Sequence, residues 1–148
     1  MNYRIVTSAD IPRMQVVRHL VKENILSDPA LVTDAQVGDY ITQRGKGWVC
    51  EVNSVIVGFA IADLQGHSIW ALFLQPEFEG QGIGRKLHQL MLDWYFTQST
   101  QTLWLTTSPN TRAERFYRKA GWKDCGYQKR EIRFEMTHSN WKANRIVC

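Results

Sequence analysis

Long apolar runs are missing from this chain of 148 residues. Nothing approaches the roughly 18 consecutive apolar residues of a membrane span, so no membrane partner is expected. Cysteine is scarce. Cys50, Cys125 and Cys148 are odd in number, far apart and without metal-ligand spacing, which argues against a disulfide framework or a metal site and for a reducing cytoplasm. Met1-Asn2 leads straight into Tyr3-Arg4-Ile5-Val6, which reads as a first strand, so no secretory signal is expected. Nor is there a repeat, a linker or a shift in composition, so one domain over 1–148 is expected, with 44% hydrophobic residues to build its core. The net charge of +4 comes from scattered basic residues. They form no stripe interleaved with aromatics, and a nucleic-acid partner is not expected.

What is present is concentrated between Ile69 and Phe96. The apolar run Ile69 to Leu74 lies between Gly66 and Pro76 and is too short for a helix, so it reads as a buried central strand. Gln75-Pro76-Glu77-Phe78-Glu79 leads into Gly80-Gln81-Gly82-Ile83-Gly84. The spacing of Ile83, Leu87, Leu90, Met91 and Trp94 then predicts an amphipathic helix. Strand, glycine turn and helix together suit an anion. The first helical N–H groups have no intrahelical partner, the dipole adds partial positive charge, and glycine lets backbone approach closely. The ATP-binding P-loop does not fit, because Gly84 is followed by Arg85-Lys86-Leu87 with no hydroxyl for magnesium. The dinucleotide fingerprint does not fit either: the spacing is G-x-G-x-G, and Leu103-Trp104-Leu105 stands where an acid is needed.

Around this centre, Asp10 is a plausible N-cap for a helix with Pro12 in its first turn and Met14, Val17, Leu20 and Val21 on its apolar face. It ends at Glu23-Asn24 before a turn at Ser27-Asp28-Pro29. Thr33 and Gln36 make a capping box for a second helix, with Val37, Tyr40 and Ile41 inward. Strands at Trp48 to Val52 and Val55 to Asp63 are joined by a hairpin turn at Asn53-Ser54. A further strand runs from Thr102 to Thr107, and Thr111 and Glu114 make a second capping box for a helix whose inner face is Ala113, Phe116, Tyr117 and Ala120, closed by Gly121. Trp122 to Tyr127 and Glu131 to Met136 read as final strands. Residues 138–148 show no clear period and read as a loose or docking tail.

The pattern N-x-x-A-x-x-F-Y-x-x-x-G-W from Asn110 to Trp122 follows L-F-L-x-P-E-F-x-G-x-G-I-G from Leu72 to Gly84. In this order the two closely resemble the GNAT superfamily of N-acetyltransferases, over Trp48 to Met136. The resemblance implies an α/β (α+β) fold: a mixed, mostly antiparallel sheet of about six to seven strands with a splayed central strand, flanked by about four helices. It implies acetyl-CoA as cosubstrate, with the pyrophosphate on Gly80, Gln81, Gly82, Ile83, Gly84 and Arg85. The pantetheine arm would pair with Leu72, Phe73 and Leu74, Asn110 would contact the cofactor, and Tyr117 would protonate the departing thiolate. The family often has Gln or Arg where this chain has Glu79. An acid there would repel pyrophosphate, so Glu79 is expected to face solvent.

The implied reaction is direct acetyl transfer to a primary amine of a small molecule or peptide, within a ternary complex and without a metal. A non-catalytic acyl-CoA-binding module of the same fold is the alternative, and a homodimer is the assembly left open. The acceptor side is thinnest. The central strand carries no acid, which leaves Glu23, His67 and Trp70 as acceptor-site candidates; Glu23, Asp28 and Asp34 would favour a small cationic amine. The competing readings are that Tyr117 is a packing tyrosine and Asn110 a cap, and Trp70 and Phe73 read as core or pocket wall rather than chemistry. Cys50 and Cys125 have no base beside them.

Overall fold

The computed structural model describes residues 1–21 and 32–147. Strands β1 (Asn2–Ile5), β2 (Gly45–Val52), β3 (Val55–Asp63), β4 (Ser68–Leu74), β5 (Leu103–Thr107), β6 (Lys123–Gln128) and β7 (Glu131–Met136) form one sheet in the order β1-β2-β3-β4-β5-β7-β6. Every neighbouring pair is antiparallel except β4 and β5, which run parallel. A parallel pair needs a crossover. Helix α3 (Ile83–Gln98) supplies it. Four more helices are described: α1 (Ile11–Leu20), α2 (Asp34–Asp39, continued by a π turn over Tyr40–Arg44), α4 (Arg112–Lys119) and α5 (His138–Val147). The mixed, mostly antiparallel sheet with flanking helices is the expected fold.

The hairpins follow local chemistry. Asn53 and Ser54 take φ of 52° and 65°, the paired left-handed geometry of a tight hairpin. Lys129 and Arg130 do the same at 51° and 69° between β6 and β7, although neither residue type signals such a turn. Thr33 and Gln36 form the expected capping box: Gln36 N–H donates to Thr33 Oγ1 at 3.1 Å and Thr33 N–H to Gln36 Oε1 at 2.8 Å.

Three local expectations need correction. Asp10 does not cap α1 with its side chain; its carboxylate accepts from Thr7 N–H at 2.8 Å and pairs with Arg4 at 2.8 Å, because a 3-10 turn over Ser8–Asp10 precedes the helix. Leu20 is exposed rather than on the apolar face, since α1 ends there and Val21 is already extended. The stretch from 138, read as a tail, is helix α5, and its Trp141 ring lies 5.1 Å from that of Phe96.

Two β-bulges decide which side chains face which layer. Cys50 pairs with Gly58 and Glu51 with Ile56, so Val57 is an extra residue in β3. Ile61 pairs with Ala71 and Ala62 with Ile69, so Trp70 is an extra residue in β4. A bulge breaks the alternation of faces. Trp70 and Ala71 therefore both turn toward the layer of α1 and α2, together with Phe59, Val17 and Val37. Ile69, Leu72 and Leu74 turn to the opposite layer, with Ile83, Leu87, Met91 and Tyr117. Ile83, Leu87 and Met91 are wholly buried, each worth roughly 1.5–3 kcal/mol, and they fix α3 and hence the turn at its start. The buried face of α3 is wider than its apolar spacing suggests, taking in His88 and Tyr95 while Leu90 and Trp94 stay half-exposed. Each polar one has a partner. Trp122 Nε1–H donates to His88 Nε2 at 3.0 Å, and the Tyr95 hydroxyl donates to the Gln101 carbonyl at 3.1 Å.

Candidate active site

The site begins where β4 and β5 part. Their only register pair is Ser68 with Trp104. The junction is pinned by Trp104 N–H donating to the His67 carbonyl and Trp104 Nε1–H to the Gly66 carbonyl, both at 2.9 Å. Beyond it, Leu72, Phe73 and Leu74 pair with Ala60, Phe59 and Gly58 of β3, while β5 pairs with β7. The edge of β4 that faces β5 thus presents backbone N–H and C=O groups with no strand against them among the described residues. Backbone groups inside a protein need partners. An extended ligand arm laid along this edge would provide them.

At the C-terminal end of the same strand, Pro76–Phe78 forms a 3-10 turn, and Gly80 and Gly82 follow with φ of 78° and 84°. Those angles suit glycine, and nothing lies within 4 Å of where a Cβ would stand on either residue. Gly84 differs. Its φ is not left-handed, and a Cβ would meet Phe116 Cε2 at an ordinary 3.9 Å. Lys86 N–H is the first in α3 to find a helical acceptor, Gly82 O at 3.1 Å, so the N–H groups of Ile83, Gly84 and Arg85 precede the ladder. Open space over two left-handed glycines, at the positive end of a helix of 16 residues, fits a pyrophosphate. Gln81, Arg85 and Lys86 are exposed beside it. Glu79 does not simply face solvent: its carboxylate meets Arg112 Nε at 3.3 Å, joining the glycine turn to the start of α4.

Asn110 and Tyr117 sit at the two ends of α4's working face. Thr111 is the side-chain cap: its hydroxyl accepts from Glu114 N–H at 3.2 Å and donates to the Ser108 carbonyl at 2.8 Å. The box does not close on Thr111 as expected; Glu114 Oε1 instead accepts from Asn110 N–H at 2.7 Å. That shift holds Asn110 left-handed at φ 61°, a conformation asparagine tolerates, and leaves its side-chain amide outside the cap. Tyr117 is 6% exposed, edge-on to Phe116 and Trp122, and its hydroxyl has no hydrogen-bond partner among the described residues. Burial pushes its phenol far above the ordinary value, so it stays protonated through the neutral range. Behind it His88 is buried with its ring 6.3 Å from that of Tyr117, and burial pushes it down to about 4. Accepting from Trp122 on Nε2 makes it a neutral ring.

The two described acceptor candidates, His67 and Trp70, are not brought together. His67 lies at the closed end of the cleft, with Nδ1 2.9 Å from the Tyr95 hydroxyl. That is roughly 16 Å along the strand from Leu72, at about 3.3 Å per residue. Trp70 is on the α1–α2 layer, stacked on Tyr40 at 3.8 Å with the planes 7° apart. Glu23 and Asp28 lie outside the described residues, and Asp34 takes a hydrogen bond from Gln15 Nε2 at 3.3 Å. The sequence reading passed over Arg18. Its guanidinium lies over the rings of Phe73, Trp70 and Phe59 at 4.7, 5.3 and 5.8 Å. One arginine on an amphipathic helix gives no signal of that. Cys50 is buried and Cys125 exposed; burial raises both thiols, so neither is activated. Among the described residues no cluster of three or more His, Cys, Asp or Glu could hold a metal ion, and no helix is long and apolar enough to cross a membrane.

With this geometry in place, comparison with known proteins gives one consistent result. The family model described as Acetyltransferase (GNAT) family matches residues 14–122. A curated relative from Archaeoglobus fulgidus, an uncharacterized N-acetyltransferase, is 35% identical over 80 residues, which are 47% of this chain and 54% of the relative. The match thus spans about half the length of that relative. Among solved structures, the fold is similar to that of the PaiA N-acetyltransferase from Thermoplasma acidophilum in complex with coenzyme A. That match has a TM-score of 0.80 at 15% identity and covers 93% of this chain and 99% of that one. It is also similar to the ribosomal-protein-S18-alanine N-acetyltransferase from Escherichia coli, with a TM-score of 0.71 at 18% identity over 91% of this chain and 90% of the other.

Proposed function

The chain belongs to the acetyltransferase (GNAT) family, and from that premise we propose that it moves an acetyl group from acetyl-CoA directly to a primary amine of a small molecule or peptide. The observation that carries this reading is the open edge of β4 beyond the Ser68–Trp104 pair, running straight into a left-handed glycine turn at the start of α3. Bound acetyl-CoA would supply an activated thioester.

The remaining chemistry belongs to the chain. N–H groups from Gly82 to Arg85 hold the pyrophosphate, with Gly80 and Gln81 completing the turn. Peptide groups of Leu72, Phe73 and Leu74 orient the pantetheine arm, and an N–H of the same edge stabilises negative charge developing on the thioester oxygen. Asn110, whose side chain is not used by the helix cap, contacts the arm from the α4 side. The acceptor nitrogen loses its proton to water and bonds to the thioester carbon. As the C–S bond breaks, Tyr117, which keeps its proton through the neutral range, donates it to the departing sulfur and is reprotonated from water. Two reactants held side by side in the cleft supply the proximity term. Free Cys50 and Cys125 agree with a reducing, cytoplasmic setting.

The test pairs binding with turnover. Calorimetry should give saturable acetyl-CoA binding that Gly82→Val abolishes in a folded variant, because valine cannot adopt φ of 84° without strain. Release of CoA thiol should require a primary amine. Binding without release for any amine would leave an acyl-CoA-binding module, and unchanged binding in folded Gly82→Val would remove the glycine turn from the cofactor site.

A further inference from the structure

Arg18 is a half-buried cation whose described surroundings do not account for it. Among the described residues its Nε and Nη2 find no hydrogen-bond acceptor, and both atoms are closed to solvent. Three aromatic rings lie within 6 Å of its carbon centre, and among the described residues no carboxylate is paired with it. Several described acids are engaged elsewhere: Asp10 and Glu51 with Arg4, Asp63 with Arg44, Glu79 with Arg112, while Asp34 accepts from Gln15. Burial alone pulls the guanidinium down to about 10, so it remains charged at neutral pH. Aromatic faces offset part of the cost of burying a cation, but they leave its N–H donors unsatisfied.

The two orphan atoms have a geometry. Nε and Nη2 form one edge of the planar guanidinium, the fork that meets both oxygens of a carboxylate in parallel hydrogen bonds. The position is equally specific. Phe73, the ring nearest to Arg18, belongs to the open segment Leu72–Leu74, but its side chain turns to the α1–α2 layer. Leu72 and Leu74 turn to the layer of α3 and Tyr117. The bulge at Trp70 adds a second aromatic wall on Arg18's side, and Tyr40 backs it. Arg18 thus stands across the reacting strand from Tyr117 and from the helix that carries the glycine turn.

We infer that Arg18 is the specificity-determining residue of the acceptor site and selects a primary amine that also carries a carboxylate, as in a free amino acid or an acidic peptide. This rests on the acetyl-transfer reading above. It replaces the cationic amine expected from Glu23, Asp28 and Asp34 with an acceptor chosen for its negative group. A closed fork–fork contact would satisfy both orphan donors, and the aromatic walls would exclude competing water.

The experiment has a turnover arm and a binding arm. In the first, thiol release is compared for free L-amino acids against their carboxamides, and for acidic peptides against their amide counterparts; the two pairs distinguish the sources of the carboxylate. Wild type should prefer the carboxylate by about 10- to 100-fold in kcat/KM, as expected for charged hydrogen bonds, and Arg18→Met should bring the ratio near one. In the second, N-acetyl-L-amino acids and their carboxamides are titrated into the protein without CoA, and the unfolding midpoint is followed. The acids should raise the wild-type midpoint and the amides should not. Arg18→Met should raise the midpoint of the ligand-free protein by removing an unpaired buried charge, and should abolish the response to the acids. A merely structural Arg18 would give the reverse, a less stable variant with no change in acceptor preference. Acetyl-CoA turnover without carboxylate preference overturns this inference and leaves the acetyl-transfer reading standing. Failure of acetyl-CoA to bind overturns that reading, and the binding arm still decides Arg18: no response to any N-acetyl amino acid refutes it.

Discussion

His88 should make this fold acid-sensitive in a way that can be separated from every other titrating group. Its ring is buried on α3, accepts from Trp122 Nε1–H at 3.0 Å, and is pushed down to about 4 by burial. In the unfolded chain it titrates near 6.5. Between those values the unfolded state binds the extra proton, so stability rises with pH there. The neutral ring's contribution is complete above the unfolded value and is lost as pH falls toward 4. From pH 7 to pH 5 the loss is about 2 kcal/mol, out of roughly 3 kcal/mol for the whole shift. For a domain of this size it lowers the melting temperature by about 4–8 °C. The matched variant is His88→Gln, whose amide oxygen can still accept from Trp122 but does not titrate. Denaturant unfolding of both proteins at the two pH values gives the comparison, because the paired carboxylates titrate in both and cancel. Equal losses between pH 7 and pH 5 would refute the argument and mean that the ring takes up its proton inside the fold at ordinary cost.

Tyr117→Phe should lower kcat by roughly 10²–10⁴-fold with little change in acetyl-CoA affinity, since it removes a proton but keeps the ring's contacts; undiminished single-turnover rates would return Tyr117 to a packing role. Because burial holds its phenol far above the ordinary value, wild-type kcat should show no basic limb from this group up to about pH 10. Glu79→Gln should tighten acetyl-CoA binding, more at low salt than at high, by removing an anion beside the pyrophosphate cradle. Weaker binding by calorimetry would mean instead that the Glu79–Arg112 pair at 3.3 Å holds the turn in place.

Most strands, both helix-capping residues Thr33 and Thr111, and the glycine turn were legible in the sequence because each depends on neighbours close along the chain, whereas the mixed sheet was implied by the family resemblance. Asn53-Ser54 specifies a turn by its own conformational preferences, and the left-handed angles of Gly80 and Gly82 follow from residue type. Other features depend on contacts that no local pattern encodes. The Lys129-Arg130 turn is left-handed without a residue that favours it, imposed by the pairing of β6 with β7. His88 disappears into the core because Trp122, far along the chain, brings it a donor. His67 looked close to the reacting strand because it is adjacent in sequence, yet the strand's length carries it to the closed end, where it bonds to Tyr95. Arg18 was illegible for the same reason in reverse: its walls come from β3 and β4.

The bulge at Trp70 lets one short strand present different side chains to two layers, as the proposed two-reactant site requires. An unbroken strand would put Ile69, Ala71 and Phe73 on one face and Trp70, Leu72 and Leu74 on the other. The extra residue turns Trp70 to the side of Ala71 and Phe73 while Ile69, Leu72 and Leu74 stay with α3. It also lies two residues after Ser68, the last point at which β4 touches β5. Bulges increase local twist and bend the strand that carries them. The bulge thus stands where β4 and β5 cease to pair and the edge needed by the proposed cofactor arm begins. The same residue therefore marks the start of the cleft on one side of the strand and builds an aromatic wall on the other. On this account a change that restores regular pairing of β3 with β4 would disturb the cofactor edge and Arg18 together, coupling cofactor site and acceptor site through backbone geometry alone.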